Sequence, residues 1–223
     1  MLAGKPMVQH VYERTLNTPS VSRVLVATDD KRIITTVLAF GGEAVMTGEH
    51  ANGTERIAAV MSDFALEDKQ PGYVLNVQGD EPLIDPDDLE SLIQGMFQRP
   101  QAVMGTLMHP LENEQEAADP NVVKVVCDWE GKALYFSRSQ IPHPRHEGPL
   151  GMRHLGIYLY QTGFLQTYKA LKPTPLSERE SLEQLRALEH GYSIHCFEAK
   201  TVGFGVDVPE DLKKAEAYLK SLS

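Results

Sequence analysis

Short runs of β-branched and apolar residues alternate along the chain with stretches in which apolar positions recur every three or four residues. The first pattern predicts strands and the second amphipathic helices. Their alternation predicts an α/β fold on a mostly parallel sheet flanked by helices. A helix is expected from Pro6 to about Leu16, because proline is tolerated in a first turn. Val21–Ala27 reads as a buried strand ending in Thr28-Asp29-Asp30, and Gly41-Gly42 stops the helix that follows. Glu43–Met46 is a second strand. Asn52 and Glu55 stand at capping-box spacing and open another helix. Tyr73–Val77 is a strand that breaks into Gln78-Gly79-Asp80-Glu81-Pro82. A helix from about Pro86 to Gln98 and a strand near Ala102–Met108 come next.

The texture then changes. Val122–Val126 and Ala133–Phe136 flank the turn-like Asp128-Trp129-Glu130-Gly131, which predicts a β-hairpin. Proline and histidine gather over 141–149 as a loop, and His154–Tyr160 reads as a strand. Ser177 and Glu180 form a capping box ahead of the Leu182/Leu185/Leu188 stripe. Ser193–Phe197 is a strand, and Gly203–Asp207 leads into a last amphipathic helix through about Leu222. One domain over 1–223 is expected, with a small β-rich subdomain inserted at about 122–160.

Composition narrows the function. With 42% apolar and 23% charged residues in 223, the chain can bury a core and is not disordered. Two cysteines, Cys127 and Cys196, make neither a disulfide framework nor a metal cluster, which favours a reducing compartment. No apolar run approaches the roughly 20 residues of a membrane span, and no signal peptide is expected. Acidic residues outnumber basic ones 31 to 21, a net charge of −10 without a basic stripe. That argues against nucleic acid as a partner and requires cations or helix N-termini around any anionic ligand.

In open α/β sheets ligands bind beyond the carboxyl ends of the strands. Asp29 and Asp30, Gln78 and Asp80, and Asp207 all follow apolar runs and so fall at that rim. A carboxylate after a glycine, as at Asp80, suits a hard cation such as Mg²⁺, although a turn cap has the same spacing. Asp207 also has the look of an N-cap, with Pro209 and Glu210 behind it. Thr54, Glu55 and Arg56 start a helix whose free N–H groups face the rim. Arg138 has the fork geometry to clamp a carboxylate. His154 and Tyr158, four apart on a strand, share a face that suits a polyol or a half-buried pair. Glu183 and Gln184 lie off the leucine stripe, where packing does not demand them and a solvated face would also hold them.

Several blocks occur in a distinctive order: Thr28-Asp29-Asp30, Gly53-Thr54-Glu55-Arg56, Asn76-Val77-Gln78-Gly79-Asp80-Glu81-Pro82, Asn121–Val126, Ala133–Arg138, Arg153–Tyr158, Leu182–Arg186 and Gly205-Val206-Asp207. This order closely resembles the 3-deoxy-manno-octulosonate cytidylyltransferases, or CMP-Kdo synthetases, from residue 1 to about 215. The resemblance implies a nucleotide-diphospho-sugar transferase-like fold and the reaction of CTP with the sugar acid Kdo, giving CMP-Kdo and diphosphate for lipopolysaccharide synthesis in the bacterial cytoplasm. It implies Asp80 and Asp207 as catalytic Mg²⁺ carboxylates. Thr54, Glu55, Arg56 and Gln78 would lie around the nucleotide, and Arg138, His154, Tyr158, Glu183 and Gln184 around the sugar. It also implies a homodimer through the β-rich insertion.

Members of that family open with a strand and an Arg/Ser/Lys-rich loop around the triphosphate, and no stretch here matches it. Gly4-Lys5-Pro6 corresponds to a second Gly-Lys-Pro ahead of the first helix, so Lys5 receives no phosphate role. A chain start set too late is the expected explanation, and a defective copy the alternative. His143-Pro144 stands where many relatives have Trp-Asp. Two other readings stay open: a related synthetase for amino-Kdo or sialic acid, and a non-catalytic remnant.

Overall fold

The computed structural model describes residues 1–50, 52–65, 72–203, 205–206 and 209–221. The chain opens with α1 (Met7–Leu16), β1 (Val26–Thr28), α2 (Lys31–Ala39), β2 (Ala44–Met46) and α3 (Gly53–Ala65). β3 (Tyr73–Asn76), α4 (Pro86–Phe97), β4 (Met104–Pro110), α5 (Glu114–Ala118), β5 (Lys124–Cys127) and β6 (Ala133–Ser137) come next. The last third holds β7 (Met152–Gln161), α6 (Thr162–Ala170), α7 (Pro175–Glu180), α8 (Glu183–Glu189), β8 (Ile194–Glu198) and α9 (Pro209–Ser221).

The helix starts follow local chemistry. Asp30 caps α2 by accepting the Arg32 N–H at 2.8 Å, and Asp85 caps α4 ahead of Pro86. Asn52 accepts the Glu55 N–H at 2.9 Å at the start of α3, the cap its spacing predicts. The Ser177–Glu180 capping box is not formed. Thr174 holds the N-cap position of α7, and Ser177 Oγ accepts the Thr174 N–H at 3.0 Å. Two short helices therefore replace one, joined by Ser181 in the left-handed region (φ 52°, ψ 50°).

The sheet is α/β in its layering but mixed in direction. The ten-residue β7 is its spine, antiparallel to β3, β4 and β5. β4 runs parallel to β8, while β5 and β6 form the antiparallel hairpin. The alternation of β7 supplies both faces of the core. Leu155, Ile157 and Leu159 pack with Leu89, Leu92 and Met96 of α4, whereas Tyr158 and Tyr160 join Ala58, Leu165, Leu185 and Ile194 on the other side. Helices thus cover the sheet on both faces. β1 and β2 form a separate two-stranded parallel sheet. The strand expected over Val21–Ala27 shrinks to Val26–Thr28, because only its β2 side has a ladder to join.

Candidate active site

A cleft of about 370 Å³ opens beside the end of β3. Four segments wall it: Asp80-Glu81 after β3, Asn121–Val123 before β5, Arg153–Tyr158 of β7, and Ser181–Gln184 at the α7–α8 junction. Five residues expected from the sequence, Asp80, His154, Tyr158, Glu183 and Gln184, therefore share one cavity. Between Thr106 and Leu107 the β4–β7 register shifts, and this bulge turns β7 where it faces the cleft.

The β7 wall is neutral and rigid. His154 is buried, and desolvation pulls its pKa down to about 3. Thr106 Oγ1 lies 2.6 Å from the Ile157 carbonyl and 2.9 Å from His154 Nε2. The single hydroxyl proton goes to the carbonyl, so the imidazole is the Nε2–H tautomer donating to Thr106, and Nδ1 is left as an acceptor. Tyr158 is a neutral phenol whose pKa burial raises, and it donates to Gln184 Oε1 at 3.1 Å.

The opposite wall carries a buried carboxylate. Burial pushes the pKa of Glu183 up, while the hydroxyl and backbone N–H of Thr54 partly offset this by donating to it. Thr54 is fully buried, and its hydroxyl also lies 2.8 Å from that of Tyr160. The start of α3 is thereby fastened to the cleft. Three buried polar atoms of lining residues still lack a partner in the protein: Glu183 Oε2, Gln184 Nε2 and Arg153 Nε. Buried polar atoms are rarely left so in a native fold unless something else completes them. One acceptor and two donors in one cleft match a ligand rich in hydroxyl and carboxylate oxygens.

Other expected residues are committed elsewhere. Glu55 pairs with Arg186 at 2.8 Å, and Arg186 also donates to the Leu171 carbonyl and covers the Tyr168 ring. Arg56 pairs with Asp29 at 3.0 Å, which holds the Asp29 pKa below the usual carboxylate range. Gln78 lies against Gly53 at the start of α3. Arg138 does not line the cleft. Its guanidinium donates to the carbonyls of Glu180 (2.7 Å), Pro120 (3.0 Å) and Ser181 (3.3 Å), which ties β6 to the α7–α8 junction. Glu180 completes that tie by accepting from Ser137 Oγ at 2.7 Å and from the Arg138 N–H at 2.9 Å. Among the described residues the cation that lines the cleft is Arg153, which pairs with Glu116 at 3.4 Å.

Arg153 and Lys124 were not singled out from the sequence. Lys124 is fully buried, and its Nζ donates to the carbonyls of Asp119, Val122 and Arg138 at 2.6–2.8 Å, fixing the Asn121–Val123 wall. A lysine amid four valines, Val122, Val123, Val125 and Val126, was the available signal, since a charge inside an apolar strand must be paired.

Asp207 lies outside the described residues. Nearby, the Val206 N–H donates to the Asp80 carbonyl at 2.8 Å. Asp88 steadies the segment before it, accepting from Lys200 N, Thr201 N and Thr201 Oγ1 at 2.8–3.1 Å. Among the described residues no three His, Cys, Asp or Glu side chains cluster to hold a metal. Asp80 and Glu81 at the cleft nevertheless fit Mg²⁺, which takes one or two protein carboxylates and completes its shell with substrate phosphates and water.

Residues 1–195 match the family described as cytidylyltransferase. The 3-deoxy-manno-octulosonate cytidylyltransferase of Syntrophotalea carbinolica is 50% identical over 232 residues, covering 99% of this chain and 91% of the relative. That of Escherichia coli is 45% identical over 220 residues, covering 98% and 87%. A solved structure described as CMP:2-keto-3-deoxy-manno-octonic acid synthetase complexed with CTP superposes with a TM-score of 0.93 at 43% identity, over 100% of this chain and 91% of that one. The chain belongs to the cytidylyltransferase family, among the 3-deoxy-manno-octulosonate cytidylyltransferases.

Proposed function

We propose that this chain transfers CMP from CTP to Kdo, releasing diphosphate, with the sugar acid in the cleft between Asp80 and Glu183. The observation that carries this reading is the set of unpartnered polar atoms on Glu183, Gln184 and Arg153 in one cavity. Glu183 Oε2 and His154 Nδ1 accept sugar hydroxyls, and Gln184 Nε2 donates to one. Arg153, which lines the cleft, takes the carboxylate-binding part expected of Arg138, three of whose five N–H donors go to backbone carbonyls. Arg138 keeps a positioning part in the same wall.

The sugar's anomeric oxygen attacks the α-phosphorus in line, and the bond to the departing diphosphate breaks. Little covalent work falls to the protein. Orientation supplies much of the rate, and a neutral, rigid wall does not reorganise as charge moves. The N-terminus of α3, with Thr54, lies toward the nucleotide, Gln78 stands at its edge, and the Glu55 and Arg56 ion pairs hold that turn in place. Asp80, joined by Asp207 as the sequence expects, would hold Mg²⁺. When bound, the ion lowers the pKa of the attacking hydroxyl and offsets phosphate charge. The exposed Trp129 and Leu134 on the β5–β6 hairpin support pairing of two copies there. Kdo activation for lipopolysaccharide supports a cytoplasmic location.

Diphosphate release from CTP, measured with Kdo, an amino-Kdo and sialic acid in parallel, tests the substrate. Kdo is expected to give the highest kcat/KM. A preference of about a hundredfold for another acid would overturn the assignment.

A further inference from the structure

The fold brings together two thiols that the sequence keeps far apart. Cys127 ends β5, and Cys196 lies in β8. The β5–β6 hairpin and β8 are the two ends of the six-stranded sheet, yet the sheet curls far enough for them to touch. The Cys196 N–H donates to the Gly131 carbonyl in the hairpin turn at 2.8 Å, and Lys132 bridges His195. The thiols then meet directly, the Cys196 S–H donating to the Cys127 sulfur. Met108 of β4 completes a group of three sulfurs, its Sδ 3.9 Å from Cys127 Sγ. The chain has no other cysteine.

The two thiols differ in their surroundings. Cys196 is 5% exposed and belongs to the core cluster of Met104 and Ile194, where a cysteine serves as a small apolar side chain. Cys127 is only half-buried, at the margin of that cluster, so packing does not account for it. The hydrogen bond from Cys196 holds its pKa below that of an ordinary thiol, although burial and the Asp128 carboxylate both work the other way. The same bond, with burial, pushes the pKa of Cys196 up. Cys127 also stays accessible if two copies pair through the hairpin. It shares a face with its ladder partner Ala133, which is buried, whereas exposed Leu134 points to the opposite face.

We propose that Cys127 is an oxidation site and Cys196 its resolving partner: a hydroperoxide oxidises Cys127, and the pair closes reversibly to a disulfide between the hairpin and β8. A more acidic, accessible thiol beside a buried second one is the arrangement that such sites require. In the first step the Cys127 thiolate attacks one oxygen of hydrogen peroxide. The O–O bond breaks, hydroxide leaves with the electron pair, and Cys127 becomes a sulfenic acid. In the second step the Cys196 sulfur attacks the Cys127 sulfur. The S–S bond forms, the S–O bond breaks, and the departing hydroxyl takes the Cys196 proton as water. Two thiols and one peroxide thus give one disulfide and two waters, and an external dithiol reverses the change. The bond joins both ends of the sheet and fixes the hairpin whose first residue, Lys124, holds the Asn121–Val123 wall of the cleft. None of this depends on which sugar the cleft accepts.

The test uses the full chain, freshly reduced, and a few equivalents of hydrogen peroxide. The intact mass without reductant is expected to fall by two hydrogens, and a peptide map to show Cys127 joined to Cys196. Dithiothreitol is expected to restore both thiols. In the folded, reduced protein iodoacetamide should modify Cys127 at least about tenfold faster than Cys196. These readouts need no variant. In Cys196→Ser the peroxide should leave Cys127 as a sulfenic acid that dimedone traps, and in Cys127→Ala it should leave Cys196 a thiol. Peroxide that leaves both native thiols free, or that joins two copies instead of closing the pair, overturns the proposal. Cys196 reacting with either reagent as fast as Cys127 also overturns it.

Discussion

Replacing Glu183 with glutamine alters one atom of the cleft in a defined way. In the native protein Thr54 donates twice to the Glu183 carboxylate, and Oε2 is the buried oxygen without a partner. A glutamine in the same rotamer must present its oxygen to Thr54, which puts its NH₂ where Oε2 stood. A sugar hydroxyl that donated to a carboxylate then meets a donor. A hydrogen bond to a charged group contributes about 1.5–3 kcal/mol, so kcat/KM for the sugar acid should fall about 10- to 150-fold. KM for CTP should hold. Stability should move the other way. Burial raises the pKa of Glu183, so its ionisation opposes folding as pH rises, and that cost is absent below its unfolded pKa of 4.5. The variant should therefore unfold at equal or higher urea concentration than the native protein at pH 7.5, with the difference disappearing toward pH 4. Continuous diphosphate release and urea titrations measure both effects. A variant whose sugar kinetics stay within twofold of native, or which loses stability at pH 7.5, refutes the reasoning.

Other expectations follow from the same packing. Lys124→Met leaves three carbonyls without their shared donor and should cost about 3 kcal/mol, read from the urea midpoint; a loss under about 1 kcal/mol contradicts it. The lowered pKa of His154 means stability is complete above pH 6.5 and drains away as pH falls toward 3, by about 2 kcal/mol at pH 5 from this residue alone. His154→Asn, which cannot titrate, should lose that part of the pH slope between 6.5 and 5. A Cβ on Gly95 would run into the Phe197 ring, so Gly95→Ala should destabilise by about 1–3 kcal/mol without changing KM for either substrate, checked by thermal unfolding and steady-state kinetics.

What the sequence disclosed depended on how local the cause was. Asn52 caps α3 through a bond spanning three residues, so spacing revealed it, whereas Asp30, read only as a rim carboxylate, proves to cap α2. The Ser177–Glu180 pair had the right spacing, yet Glu180 is drawn 43 residues back to Ser137, a partner that only the fold brings near. Arg138 suggested a carboxylate clamp by residue type, but the turn at Ser181 carries backbone carbonyls to it first. Glu183 and Gln184 were visible as polar residues off the leucine stripe. Their burial was not, because it comes from α3 and β7 closing over them. The direction of β7 was equally hidden, since an apolar run reads alike in both directions.

Diphosphate release by Asp80→Asn, set beside the native protein with CTP, Kdo and Mg²⁺, tests most directly whether this cleft is the seat of the transfer. Turnover is expected to fall at least about a hundredfold with thermal unfolding unchanged. A folded variant that turns over at close to the native rate would contradict the account.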